Sequence, residues 1–317
     1  MAFHPSGGAD SLLLAAGDKQ GMLSMWRPSA AQQDGELWSL ALHHEYVSAL
    51  QWLGAGRPHL LATASYDGSV RLLDADKAAF VLADGVPDGV EISAMGAAGD
   101  GSVLYIGDND GELLRLDVRE GGTRGAGGKA GSTGGSSGGI AAHLRKINSV
   151  HVEPSAQQLL ATSSTDATIK VWDVRSGFER KTKPLATFDH SKSCHAATFA
   201  PDGSQRLLST SYDDTVRVWD VKCGNASSHL LSVRHNNQTG RWITPFRAVW
   251  GPGCDWFAVG SMKKGVDVYA ADTGKTIATL HNGDAMTAIP SRLAAHAAVP
   301  VLAAATSSGR VHLWQLP

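Results

Sequence analysis

The chain has 317 residues, 43% hydrophobic and 18% charged, with a formal net charge of −2. That is enough apolar material for a sizeable core, and near-neutrality excludes a global pull toward nucleic acid or acidic membranes, so any DNA-binding surface must be a local patch. Cys194, Cys223 and Cys254 stand far apart with no CxxC pair, which speaks for a soluble, reducing, intracellular setting; no apolar run reaches the roughly 18 residues of a membrane span.

From the N-terminus, MAFHPS predicts one short strand and LLLAAGDKQGMLSMW (12–26) two more about a turn. The same design returns in LLATASYDGSVRLLD (60–74) and VLYIGDNDGELLRLD (103–117): an apolar run, a small-residue stretch, an Asp-containing turn, then alternation ending on a bulky anchor. Period-two alternation on both sides of a tight turn is the signature of a hairpin. Residues 121–139, GGTRGAGGKAGSTGGSSGG, predict a flexible insertion. LLATSSTDATIKVWD (159–173) and LLSTSYDDTVRVWD (207–220) are strong copies, and WFAVGSMKKGVDVY (256–269) and VLAAATSSGRVHLW (301–314) are weaker ones. The anchors Trp26, Leu73, Leu116, Trp172, Trp219, Tyr269 and Trp314 recur every 43 to 50 residues, apart from one interval of 56 across the insertion. Repeats of about 40–45 residues ending in Trp-Asp are the pattern of the WD40 β-propeller. The expected fold is therefore all-β, a single seven-bladed WD40 propeller over residues 1–317.

A buried hydrogen-bond set is expected to join His143, Ser163, Asp166 and Trp172 in the fourth blade, and His190, Ser211, Asp213 and Trp219 in the fifth. These polar groups hold the fold together, because groups buried between blades must find partners. Gln20, Lys263 and Ser308 take the Asp place in the first, sixth and seventh copies, so those blades should be held less regularly. MAFHPS already supplies the first strand of blade one and the chain stops three residues after Trp314. The last blade is thus expected to lack its outer strand, and the sequence to lack N-terminal residues.

Catalytic chemistry finds little support. Gly274-Lys275-Thr276 resembles the end of a phosphate-binding loop, but Tyr269 occupies the place of its first glycine. There is no HExxH, no His/Cys cluster and no GxSxG elbow, so neither enzyme activity nor a metal or cofactor is expected. Two features rise above the scaffold. One is the pair of endings Trp172-Asp173-Val174-Arg175 and Trp219-Asp220-Val221-Lys222, where a cation two residues beyond the Asp could meet a partner's carboxylate; such endings also arise as a by-product of the repeat. The other is RHNNQTGRWITPFRAVW (234–250), in which Arg234, His235, Arg241 and Arg247 lie near Trp242. Cations meet phosphate and an aromatic stacks on or wedges between bases; the competing reading is an ordinary connector around a buried Trp.

HNNQTGRWITPFRAVW, followed by FAVGSM and SSGRVHLW, resembles the C-terminal half of the WD repeat-containing protein 76 family, and MAFHPS with LLLAAGDKQG resembles its first blade. The likeness covers the chain apart from 121–139, and the family is a distant relative of damage-specific DNA-binding protein 2. It implies a nuclear propeller that binds DNA, with preference for damaged duplex, and that serves as a cullin-4 ubiquitin ligase receptor. By that resemblance Trp242 is the wedge with Arg241 beside it, and Gly240 replaces the relative's leading aromatic. Lys19 and Lys146 match lysines on the same face of the relative, and Lys263 and Lys264 are expected to join them in holding phosphates. Asp173, Arg175, Asp220 and Lys222 match the adaptor-docking motif. The family's longer, basic N-terminal region is absent from this sequence. The alternative is a protein–protein scaffold without direct DNA contact, which the near-neutral charge favours.

Overall fold

The computed structural model describes residues 1–6, 11–28, 35–54, 56–77, 79–83, 86–118, 137–176, 182–222 and 229–316. Among the described residues there are 27 β-strands, two short 3-10 turns and no α-helix. The strands form seven sheets whose neighbours follow chain order, the first six with four strands and the last with three. This is the seven-bladed, all-β propeller that the repeat predicts.

The blades fall in two compact units, Met1–Val152 with Val174–Lys183, and Glu153–Asp173 with Pro184–Pro317. The first unit holds blade one (Ala2–Phe3, Leu14–Gly17, Met22–Arg27, Glu36–Ala41) and blade two (Val47–Trp52, Leu60–Ser65, Val70–Asp74, Ala79–Ala83). It also holds blade three (Ile92–Ala97, Val103–Asp108, Glu112–Asp117, Ser137–Ala141) and Ile147–Val152, the first strand of blade four. The second unit holds the rest of blade four (Leu159–Ser164, Thr168–Asp173, Ala186–Asp189) and blade five (Cys194–Phe199, Arg206–Ser211, Thr215–Asp220, His229–Arg234). Blade six (Val249–Trp250, Trp256–Ser261, Gly265–Ala270, Thr276–Leu280) and blade seven (Pro290–Ala295, Val301–Thr306, Val311–Gln315) complete it.

Alternation explains the strands and the packing of both their faces explains the core. In Thr215–Asp220, Val216 and Val218 are buried on one face, where Phe246 and Val259 of the next blade join their cluster. Trp219 is buried on the other face, its ring 5.2 Å from that of Phe188. In the first unit Ala62, Ala64, Val70 and Leu72 pack in the same way against Ile92, Leu104 and Ile106.

Two expectations need correction. In blade five the His190 ring bonds Asp213 Oδ2 (2.8 Å) and Ser209 Oγ (2.9 Å), and the Trp219 indole N–H donates to Ser209 at 2.8 Å. The hydroxyl is thus Ser209 and not Ser211, which instead donates to the Lys192 carbonyl. Register is the reason: Trp219 stands opposite Leu207, so Ser209 is one same-face step away and Ser211 two. In blade four Trp172 donates to Thr162 at 3.0 Å; Ser163 is one residue off and faces the other side of the sheet. The insertion is also shorter than expected at its C-terminal side. Residues 137–139 belong to the strand Ser137–Ala141, in which Ser137 pairs with Arg115 and Ile140 with Leu113, while 121–136 lie outside the described residues.

Candidate nucleic-acid interface

Antiparallel order puts two connections of each blade at one end: the lead-in to its first strand and the turn between its second and third strands. The third strand finishes at the opposite end. In the second unit the first of these ends carries the 235–248 lead-in of blade six, and this segment is held at both sides. His235 is buried, its Nδ1 2.8 Å from Asn237 Oδ1 and its Nε2 3.5 Å from Asp267 Oδ2. That hydrogen bond holds the Asp267 carboxyl below its ordinary range, against the upward push of burial. Asn237, 1% exposed, donates from its side chain to the carbonyls of Ser211 (2.8 Å) and Thr215 (3.1 Å) and from its backbone to Asp214 Oδ1 (2.9 Å). Gln238 Nε2 donates to the Tyr212 carbonyl and to Asp214 Oδ1, and the hydroxyls of Tyr212 and Thr239 meet at 3.1 Å. Downstream, Thr244 bonds Ser291, Arg292 donates to the Pro245 carbonyl and Phe246 enters the core.

Between these anchors the chain is free of the body. Gly240 turns at φ +71 with no atom within 4 Å of where a Cβ would lie, and Arg241 is exposed. Trp242 is 83% exposed, which removes the reading of a buried Trp in a connector. An indole kept in water by a segment fixed on either side is placed to meet a partner.

The structure brings Arg241, Trp242, Lys263 and Lys264 to this one end of the second unit, Lys263 and Lys264 as exposed residues of the blade-six turn. The turn keeps the backbone of its counterparts, Lys264 at φ 61 matching Asp214 at φ 60 and Ala167 at φ 72, but with Lys263 at the Asp position His235 takes Asp267 from the third strand instead. Lys192, exposed in the blade-five lead-in, belongs to the same end and was missed by the sequence reading. The available signal was its place two residues after His190, where the basic Arg145 follows His143.

In the first unit Lys19 is exposed in the blade-one turn, which Asp18 closes by accepting the N–H groups of Gln20 (2.8 Å) and Met22 (2.9 Å). Lys146, at the lead-in to Ile147–Val152, is half-buried: its Nζ lies 4.8 Å from the Tyr66 ring centroid and bonds the Tyr66 hydroxyl, and Tyr66 leans on Tyr46 at 5.5 Å. A phosphate meeting Lys146 would therefore meet an aromatic as well. Asp173 and Asp220 close third strands and so lie at the other end of their blades. Asp220 Oδ1 accepts the N–H of Lys222 (2.9 Å), whose side chain is exposed; Arg175 is exposed in the turn Val174–Ser176. Among the described residues no group of three or more His, Cys, Asp or Glu could hold a metal ion, and no helix is long and apolar enough to cross a membrane.

Blade count, register and buried His–Asp–Trp sets define a WD-repeat propeller, the class to which this chain belongs. The WD domain, G-beta repeat family matches residues 136–173 and 182–220, which include the two strongest copies. The likeness to the WD repeat-containing protein 76 family runs through the whole chain. It is 33% identical to WD repeat-containing protein 76 of Mus musculus over 321 residues, covering 99% of this chain and 48% of that one. It is 32% identical to DNA damage-binding protein cmr1 of Aspergillus oryzae over 348 residues, covering 99% and 64%. WD repeat-containing protein 76 of Rhinolophus ferrumequinum is 31% identical over 319 residues, again with 99% and 48% covered. The chain thus spans between about half and just under two thirds of the length of these relatives.

Proposed function

We propose that this chain is a DNA-binding WD-repeat protein that prefers damaged duplex and acts in the nucleus in the DNA damage response or DNA metabolism, by binding and not by catalysis. The observation that carries the reading is Trp242, exposed on a segment anchored on both sides, with Arg241, Lys263 and Lys264 at the same end of its unit. The name of the fungal relatives, DNA damage-binding protein, supports it. Cations neutralise phosphates and fix position, whereas the indole probes stacking. A lesion weakens stacking, so extruding a base or inserting a side chain there costs less, by a few kcal/mol.

The test is duplex binding across a salt series, with undamaged and ultraviolet-treated DNA. Five or so phosphate contacts predict a fall of roughly 10- to 1000-fold in affinity between about 50 and 200 mM salt, because each contact releases counterions. Trp242→Ala should reduce the damage preference more than bulk affinity, and Lys146→Glu should lower both. Salt-insensitive binding, or equal losses from the two changes, refutes the division of labour.

A second function rests on the opposite strand ends. Asp220 with exposed Lys222, and the matching Asp173 and Arg175, offer a carboxylate and a cation for docking to a cullin-4 ligase adaptor. On that reading Arg175→Ala and Lys222→Ala abolish co-purification with the adaptor while the fold survives. Loss of adaptor binding without any DNA binding by folded wild type would leave the scaffold reading in place.

A further inference from the structure

Among the described residues, the large apolar side chains left exposed fall into two sets. Leu37, Trp38, Leu40, Phe80, Leu230 and Ile277 sit on fourth strands, and Leu185 immediately precedes one, so all seven mark blade margins. The other two, Leu144 at 90% and Trp242 at 83%, are the most exposed of all, and both stand on lead-in turns beside cations. Leu144 is followed by Arg145 and Lys146, and no acidic residue lies between Ala141 and Val152.

The repeat supplies an internal control. The residue after the lead-in histidine is His44 in blade two, Ser191 in blade five and Asn236 in blade six, but Leu144 in blade four. The fold is satisfied by a polar residue there, so nothing in the scaffold calls for leucine. Its backbone is nevertheless firmly placed. The N–H groups of Ala142 and His143 both donate to the Gly111 carbonyl at 3.0 Å, and Lys146 is packed on Tyr66. An apolar side chain projecting into water from a fixed turn, followed by two cations, has the composition of a groove wedge, in which phosphate contacts position and an aliphatic group presses on base edges or a base step.

We propose that Leu144, with Arg145 and Lys146, forms a second apolar contact to duplex DNA, carried by the other unit from Trp242. This rests on the DNA-binding reading above. Being uncharged, Leu144 adds a term independent of salt, whereas Arg145 adds one that depends on it.

The experiment uses the full 317-residue chain, with Leu144→Ser (the residue of blade five) and Arg145→Gln, against both duplexes over a salt series, alongside Trp242→Ala. Leu144→Ser should weaken binding about tenfold at every salt, as expected for losing most of a leucine's burial, and leave the log–log slope unchanged. Arg145→Gln should reduce that slope by about one. An unaltered melting temperature establishes that both variants fold. Wild-type affinity in Leu144→Ser overturns the proposal and reassigns the side chain to a protein contact; a changed slope in that variant overturns it too, since the residue then acts only by arranging the cations. Failure of wild type to bind either duplex sinks this proposal together with the function it rests on, whereas Trp242-dependent damage preference with Leu144 silent sinks this one alone.

Discussion

Blades five and six begin from the same residue type and use it differently. In blade five His190 bonds Asp213 in the adjoining turn, and that turn is closed around a carboxylate that is 4% exposed. Burial raises the Asp213 pKa, but the His190 and Thr215 hydrogen bonds outweigh it and hold the group well below the usual carboxylate range. In blade six Lys263 occupies the turn position, and His235 reaches Asp267, which is 19% exposed, at the longer distance of 3.5 Å. With Lys263 in place of the turn carboxylate, Lys263 and Lys264 both face water, and the lead-in grows from a tight turn into a loop carrying Trp242.

The two blades should differ most in what their carboxylates contribute to stability. Asp213→Ala takes the carboxylate away from the buried His190 ring and from the Arg217 guanidinium, and should destabilise the protein by about 3–5 kcal/mol. Asp267→Ala, less buried and with a longer bond, should cost about 1 kcal/mol. Urea unfolding of the two variants tests this, and equal losses would mean that blade six is held as firmly as blade five.

Asn237→Ala loosens the loop at its blade-five support. It removes the donors to the Ser211 and Thr215 carbonyls, so a loss of about 2 kcal/mol is expected from two buried acceptors left unmet. Damage preference should fall with it while the salt slope stays, since no cation is touched; intact preference would show that Trp242 needs no support from blade five.

Acid gives the smallest, graded effect, and blade two extends the comparison because His43 repeats the blade-five bond to its turn Asp67. Burial lowers the His43 pKa below 6.5, so the unfolded chain takes up the proton first and stability falls as pH drops below about 6.5. Burial pushes Asp67 up, yet the Ser69 and His44 hydrogen bonds bring it down from 3.8 to about 2. Its contribution is present above about pH 3.8 and is lost between there and about pH 2. Melting temperature should therefore decline in two stages, and Asp67→Asn should diminish the lower one, to which Asp213 and Asp267 also contribute. A melt unchanged between about pH 7 and 5 contradicts the assignment of His43 as a buried neutral ring.

The fold was legible because alternation, turn chemistry and anchor spacing agree across seven copies, and counting strands from MAFHPS foretold the three-stranded last blade. The hydroxyl of the His–Trp set was not. Ser209 and Ser211 share a face, and only the register against Trp219 decides between them. Of the candidate site, RWITPF stood out against the repeat, but its support did not, since Asn237 bonds carbonyls 22 and 26 residues upstream and no local spacing announces that. Leu144 escaped because one leucine in a strand-rich sequence looks like core until its exposure is known.

Asp214 takes φ 60 in the blade-five turn, and its Oδ1 receives both the Asn237 N–H and the Gln238 amide. The lead-in loop of one blade is therefore seated on the turn of the blade before it. An engineer moving 235–242 into another propeller would have to carry 211–215 along with it, and the two segments are expected to accept changes as a matched pair, with substitutions at 214 and 237 far from additive.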